Sequence, residues 1–206
     1  MTGNVSDTAI VFDLGAVLID WNPRHLYRKL FDGDEQKMEW FLENICTSDW
    51  NEQQDAGRTL AEATEMLVQQ HPEYESLIRA FYGRWIEMVG GAIEPTVQIL
   101  TALKEKGYDV HALSNWSAET FPLVESQFPF LGWFDVRVIS GEIKLAKPDI
   151  KIFEHLLREI GRPANECLFI DDNLRNIKAA GNLGFDTIHF QSPAQLQQEL
   201  EKRQIL

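Results

Sequence analysis

Short apolar runs that end in polar residues, separated by segments of helical spacing, constrain this chain more than any other feature. "TAIVFD" (8–13), "YDVHALS" (108–114), "VRVIS" (136–140), "ECLFID" (166–171) and "FDTIHF" (185–190) are rich in apolar residues and of strand length, as strands covered on both faces must be. Between them apolar residues return every three or four positions. Val97, Leu100 and Leu103 do so after Pro95, then Ile152, Leu156, Leu157 and Ile160, then Ile177, Ala180 and Leu183. Gly107, Gly161 and Gly184 each follow the last periodic residue, where helices commonly stop. This alternation requires right-handed crossovers and predicts an α/β fold, a doubly wound parallel sheet of five core strands.

The rhythm breaks between about 20 and 93. No clear strand is visible there. Asn22-Pro23 reads as an N-cap followed by the first helical residue, and "RHLYRKLF", "EQKMEWFLENI", "TLAEATEMLVQQ" and "LIRAFYGRWIEMV" all have helical character. The expectation is a helical cap over 20–93, inserted into a core domain made of 1–19 and 94–206. The closing "PAQLQQELEKRQIL" reads as a polar terminal helix.

Composition narrows the class of partner. Of 206 residues, 44% are hydrophobic and 25% charged, with a formal net charge of -13. That is a globular composition, and its acidity argues against nucleic acid or an anionic membrane as partner. A small anionic substrate stays compatible, because local donors and a metal ion reverse the sign at a site. No apolar run approaches the roughly 18 residues that suggest a membrane span. The start, "MTGNVSDTA", has no basic stretch and no apolar run, so no secretory leader is expected. Cys46, in a polar helical stretch, and Cys167, at the head of an apolar strand, show no metal-ligand spacing. They are expected to be reduced thiols of a cytoplasmic protein.

In a doubly wound sheet, ligands bind beyond the carboxyl ends of the strands, so the residues that end the strands matter most. The first run ends in Asp13, followed by Leu14-Gly15, and the second in Ser114-Asn115. The third leads into "GEIKLAKPD", with Lys147 before Pro148, and the fourth ends in Asp171-Asp172-Asn173. Each has an ordinary reading as a turn, a cap, a solvated helix start or an acidic pair favoured by the helix dipole. Those readings do not account for all four at successive strand ends.

On these residues the chain resembles the haloacid dehalogenase-like hydrolase superfamily. Asp13 in "VFDLGAVL", Ser114 in "HALSNW", Lys147 in "KLAKPD" and the acids of "LFIDDN" stand in the order and spacing of its four motifs. A helical cap falls between the first and the second. The "FDLGxV" start is similar to a subgroup of small phosphatases that includes glucose-1-phosphate phosphatase and the amino-terminal phosphatase domain of epoxide hydrolases. The resemblance implies a Mg2+-dependent phosphatase of a small phosphorylated metabolite, with sugar phosphates among the candidates, acting through an aspartyl-phosphate. It makes Asp13 the nucleophile. It gives the metal to the Asp13 side chain, the Gly15 carbonyl and Asp172, with Asp171 behind them or sharing the role. Ser114 and the backbone amide of Asn115 would hold phosphoryl oxygens, and Lys147 would supply positive charge to nucleophile and phosphate.

One position departs from the pattern. Most phosphatases of the family carry a second aspartate where this chain has Gly15. That carboxyl protonates the leaving oxygen and then activates water, a role worth about 10²–10⁴-fold in rate. Three readings stay open: a phosphatase restricted to good leaving groups such as anomeric phosphates, a substitute group at Asp20 or His25, or a different reaction. A metal-independent 2-haloacid dehalogenase also lacks the second aspartate. It has no use, however, for consecutive acids that repel unless a cation or a proton relieves them. A non-catalytic phosphometabolite-binding protein would keep much the same residues. In the cap, Trp40, Trp50 and Trp85 read as helix packing before binding platform. Arg58, in "DAGRTLAE", is either a surface cation or a group that reaches an anionic substrate. The resemblance puts Trp116 at the mouth of the site. A monomer, or a homodimer through the cap, is expected.

Overall fold

The computed structural model describes residues 8–206. Residues 1–7, and with them most of the segment behind the expectation about a leader, lie outside the described residues. The strands are β1 (Ala9–Phe12), β2 (Ile19–Trp21), β3 (Val89–Ala92), β4 (Val110–Ser114), β5 (Val136–Ile139), β6 (Cys167–Asp171) and β7 (Asp186–His189). Five of them form a parallel sheet in the order β5-β4-β1-β6-β7, the architecture the alternating pattern predicts. The chain lays β4 and β5 on one side of β1 and then crosses to β6 and β7 on the other. The order therefore reverses at β1, which brings the carboxyl ends of β1, β4 and β6 together at the switch point.

Side chains alternate along a strand, so β1 sends Ile10 and Phe12 to one face and Ala9 and Val11 to the other. Helices Glu94–Glu105 and Pro193–Lys202 cover the first face with Leu100, Leu103, Leu196 and Leu200. Helices Ile150–Ile160 and Leu174–Leu183 cover the second with Ile152, Phe153, Leu156 and Ala180. Gly161 and Gly184, at φ 72° and 103°, end these last two helices in the left-handed region that glycine enters without a Cβ clash.

Between β2 and β3 run helices Arg24–Leu30, Glu35–Asn44, Ser48–Asp55, Leu60–Gln70 and Glu75–Gly83. Tyr27, Phe41 and Phe81 are buried at their centre, with Tyr27 and Phe41 rings 5.1 Å apart and Trp50 edge-on to Phe81 at 5.1 Å. Thr47 and Thr59 start two of these helices by accepting the amides of Trp50 and Glu62, as N-cap hydroxyls do. The apolar side of the insertion belongs to the same cluster as the first face of the sheet.

Several details correct the sequence reading. The interval read as strand-free holds β3 and most of β2, which pair antiparallel. A three-residue strand and a Val-Gly-Gly-Ala strand are too short and too glycine-rich to carry an alternating pattern. The helix expected through Val89 stops at Gly83, and a 3₁₀ turn, Trp85–Met88, leads into β3. Helix Ser48–Asp55 buries only Trp50 and Gln54, so it carries almost no apolar periodicity. Cys46 is buried just past the end of helix Glu35–Asn44 and not within a helix. Among the described residues no helix is long and apolar enough to cross a membrane.

Candidate active site

Strand β1 is fully buried, and its next residue, Asp13, meets the ends of β4 and β6 at the switch point. Asp13 Oδ1 accepts three contacts: the Leu14 amide at 2.7 Å, Ser114 Oγ at 2.8 Å and Lys147 Nζ at 3.1 Å. Lys147 is buried. Its ammonium also donates to Asp171 Oδ2 at 2.6 Å and to the Leu113 carbonyl at 2.8 Å, so all three of its protons are used. Asp171 is held by further donors, the Asn173 amide at 2.7 Å and Asn176 Nδ2 at 3.1 Å from each oxygen. Asn115 spends its side chain on the lysine backbone, donating to the Lys147 carbonyl at 2.9 Å and accepting the Lys147 amide at 2.8 Å.

Asp172 differs from its neighbour. It is exposed, and no side chain among the described residues donates to its carboxylate. Its backbone carbonyl meets His189 Nε2 at 2.9 Å. Oxygen atoms of Asp13, Asp171 and Asp172 all lie within 4.8 Å of one another. Burial pushes the Asp13 carboxyl well above the usual carboxylate range; Asp171 and Asp172 add to this, and Lys147 and the Ser114 hydroxyl oppose it. Asp172 is raised by partial burial and by the charge of Asp171. Burial alone would lower Lys147, but Asp13 and Asp171 raise it on balance. One ammonium among three carboxylates leaves an excess of negative charge. An oxygen-only donor set of this kind suits a hard divalent cation.

The structure thus brings together Asp13, Ser114, Lys147, Asp171 and Asp172, with Gly15 and Asn115 beside them. Gly15 and Asn115 line a cavity of about 70 Å³ between the end of the sheet and the helical insertion. Trp21, Tyr82, Trp85 and Trp116 supply its aromatic walls. Trp116 is buried, its ring 5.8 Å from Trp85 and edge-on to Phe121 at the same distance. The buried indole N–H groups of Trp21 and Trp116 have no partner among the described residues.

Three residues singled out in the sequence stand elsewhere. Asp20 and His25 pair with each other at 2.9 Å beside Gly90 of β3, and neither lines the cavity. Arg58, in the link after helix Ser48–Asp55, turns back onto that helix, donating to Gln54 Oε1 at 2.8 Å and to the Trp50 carbonyl at 3.3 Å. Of the cap tryptophans, Trp50 is core, Trp85 is core and cavity wall, and Trp40 lies half exposed against Tyr74. The cavity also has a wall residue that the sequence did not indicate, Asp55, at the end of helix Ser48–Asp55.

Known proteins share this frame. A sesquiterpene phosphatase of Aspergillus oryzae is 28% identical over 88% of this chain and 88% of its own length. A drimenol cyclase of Aspergillus calidoustus is 24% identical over 93% of this chain, which spans only 35% of that protein. Among solved structures, a HAD family enzyme of Bacteroides thetaiotaomicron, in complex with magnesium and inorganic phosphate, aligns with a TM-score of 0.68 at 25% identity, over 90% of this chain and 94% of that one. The sequence model of haloacid dehalogenase-like hydrolases matches residues 8–184, from the first strand of the sheet to the helix behind Asp171 and Asp172, and this chain belongs to that family.

Proposed function

We propose that this hydrolase is a Mg2+-dependent phosphatase of small phosphorylated metabolites, working in the cytoplasm through an aspartyl-phosphate on Asp13. The observation that carries the reading is the carboxylate set. Asp13, Asp171 and Asp172 converge within 4.8 Å, yet among the described residues no side chain donates to Asp172. Carboxylates so close repel unless a cation or a proton intervenes. The magnesium and phosphate bound by the Bacteroides enzyme and the phosphatase name of the Aspergillus oryzae relative support the same reading.

In this mechanism the Asp13 and Asp172 carboxylates and the Gly15 carbonyl would hold a divalent cation, whose charge would shield the anionic nucleophile from the anionic substrate. Asp171, with both oxygens engaged by Lys147, Asn173 and Asn176, keeps the lysine ammonium against Asp13. Ser114 Oγ, now on Asp13, turns its proton to a phosphoryl oxygen. Asn115, with its side chain committed to Lys147, offers its backbone N–H. Positioning and charge stabilisation are what phosphoryl transfer asks of a protein. Residues 20–93 act as the cap over a core of 1–19 and 94–206, and the aromatic walls of the cavity suit a leaving group such as a sugar ring.

Phosphate release from a panel of phosphomonoesters, with Mg2+ and with chelator, on wild type and Asp13→Asn, tests the reading. Turnover should need both the metal and Asp13. Chloride released from a 2-haloacid in the chelated sample, with the phosphate panel silent, would make the protein a dehalogenase. Silence in both assays would favour a binding protein.

A further inference from the structure

We propose that Asp55 is the general acid and base of this site, delivered from the helical insertion in place of the carboxyl that Gly15 lacks. The inference rests on the phosphatase reading above. Its geometric basis is the shared cavity, with Gly15 on the sheet side and Asp55 on the insertion side. A Cβ built on Gly15 meets nothing within 4 Å, so the space a side chain at that position would enter is open, and Asp55 borders it. Among the described residues that line the cavity, Asp55 and Tyr82 are the only titratable side chains. Tyr82 is a poor acid, raised by burial and committed to Asn51 Oδ1 at 3.0 Å and Gln54 Nε2 at 2.7 Å.

The carboxyl is anchored on its own helix, where Asn51 Nδ2, one turn earlier, donates to Oδ2 at 3.1 Å, and the Ser117 backbone, in the segment after β4, lies near enough to favour its charged form. Behind it, Ser140 Oγ donates to the Asp55 carbonyl and accepts the Trp116 amide. The end of this helix is therefore tied to the segment that follows Ser114. Burial pushes the carboxyl up to about 7; the Ser117 backbone opposes this and Glu52 adds to it. Glu52 is itself paired with Arg175 at 2.8 Å. Two cationic side chains lie near the chain that follows the helix: Arg58, bonded to Gln54, and Lys144, which packs beside Gly57. A carboxyl acid poised near neutrality is what proton transfer at neutral pH calls for.

An Asp13 oxygen bonds to phosphorus while the bond from phosphorus to the ester oxygen breaks, and that electron pair leaves on the alcohol oxygen. Protonated Asp55 gives its proton to this oxygen, so the alcohol departs neutral and Asp55 is left ionised. Asp55 then takes a proton from the water that attacks the aspartyl-phosphate. The bond from phosphorus to Asp13 breaks, inorganic phosphate leaves, and both carboxyls return to their starting states.

The test compares two substrates that differ in their need for an acid, p-nitrophenyl phosphate and a primary alkyl phosphate such as a sugar 6-phosphate. Asp55→Asn should lower kcat/KM for the alkyl ester by about 10²–10⁴-fold and for the aryl ester by less than about tenfold. Adding Gly15→Asp to Asp55→Asn should restore part of the alkyl activity. In the unaltered protein, the ratio of alkyl to aryl kcat/KM should fall as pH rises from about 6 to about 8, a readout that needs no variant. Equal losses on both substrates, or a ratio that does not change with pH, would overturn the assignment. If Asp13→Asn abolishes turnover while Asp55→Asn leaves the alkyl rate intact, the acid assignment fails and the phosphatase reading stands. If the unaltered protein hydrolyses neither ester, the phosphatase reading itself fails.

Discussion

A carboxyl kept neutral until about pH 7 sits where its charge is unwelcome, and this has a consequence for stability as well as for proton transfer. Unfolded, Asp55 titrates near 3.8; folded, it titrates near 7. Between those values the folded protein holds a proton that the unfolded chain has lost. Stability therefore falls as pH rises through this window and levels off above it. Asp55→Asn removes this titration and leaves every other group in common, so the difference between the two proteins isolates it. Their melting temperatures should be close near pH 4, with the variant ahead by at least ~2 °C near pH 8, the shift that about 1 kcal/mol produces in a chain of this size. A gap that stays constant with pH, or reverses, would mean that burial does not govern this carboxyl. At this scale the candidate site is legible in the sequence where its residues follow a strand. Asp13, Ser114, Asp171 and Asp172 stand at the ends of apolar runs, so a local pattern finds each. Asp55 ends a helix with only Trp50 and Gln54 buried, and its partners on the core side, Ser117 and Ser140, are brought near only by the fold. No local pattern marks it.

At the scale of elements, the site depends on how closely the segment after β4 packs on the short helix Ser140–Ile143 that follows β5. Gly141 donates its amide to the Trp116 carbonyl at 3.1 Å. A Cβ on Gly141 would collide with the Ala118 amide, and would come within 2.7 Å of the Trp116 carbonyl and 3.0 Å of the Ser117 carbonyl carbon. All three neighbours are backbone and have no rotamer to change. Gly141→Ala should therefore lower stability by about 1–3 kcal/mol, the usual range for overpacking, and shift Ser117 and Trp116 out of the cavity wall. A denaturation midpoint unchanged from wild type would show that the segment yields freely. Elements also divide by how plainly they appear in the sequence. The sheet strands are legible because burial on both faces makes them continuously apolar. The β2–β3 pair is held by its ladder and by the chain around it, with Asp20 and His25 filling the space beside Gly90. Neither strand has the length or the side chains to announce itself. The helices with a buried stripe are visible for the same reason the sheet is, and Ser48–Asp55, without one, is not.

For the whole molecule the dominant electrostatic fact is a net charge of -13, with three carboxylates gathered at the switch point of the sheet. In the absence of a cation this cluster opposes folding, since unfolding lets the like charges separate. A divalent ion that binds only the folded chain reverses that, stabilising by about 2.7 kcal/mol at a hundred times its Kd. Mg2+ should then raise the melting temperature of wild type by roughly 5–10 °C, at the few degrees per kcal/mol that apply to a chain of this length. Asp172→Asn separates the two effects. It removes the carboxylate to which no described side chain donates and which Asp171 repels, so without metal the variant should melt at or above wild type. It also removes a ligand, so its response to Mg2+ should shrink to a small fraction of the wild-type shift. Other acidic patches on so negative a surface would bind Mg2+ weakly, but that response is shared by both proteins and cancels in the comparison. Thermal melts of the two proteins across a magnesium titration read both quantities at once. Equal shifts would move the cation away from Asp172, and a metal-free variant less stable than wild type would mean that Asp172 is held by an attraction and not strained by its neighbours.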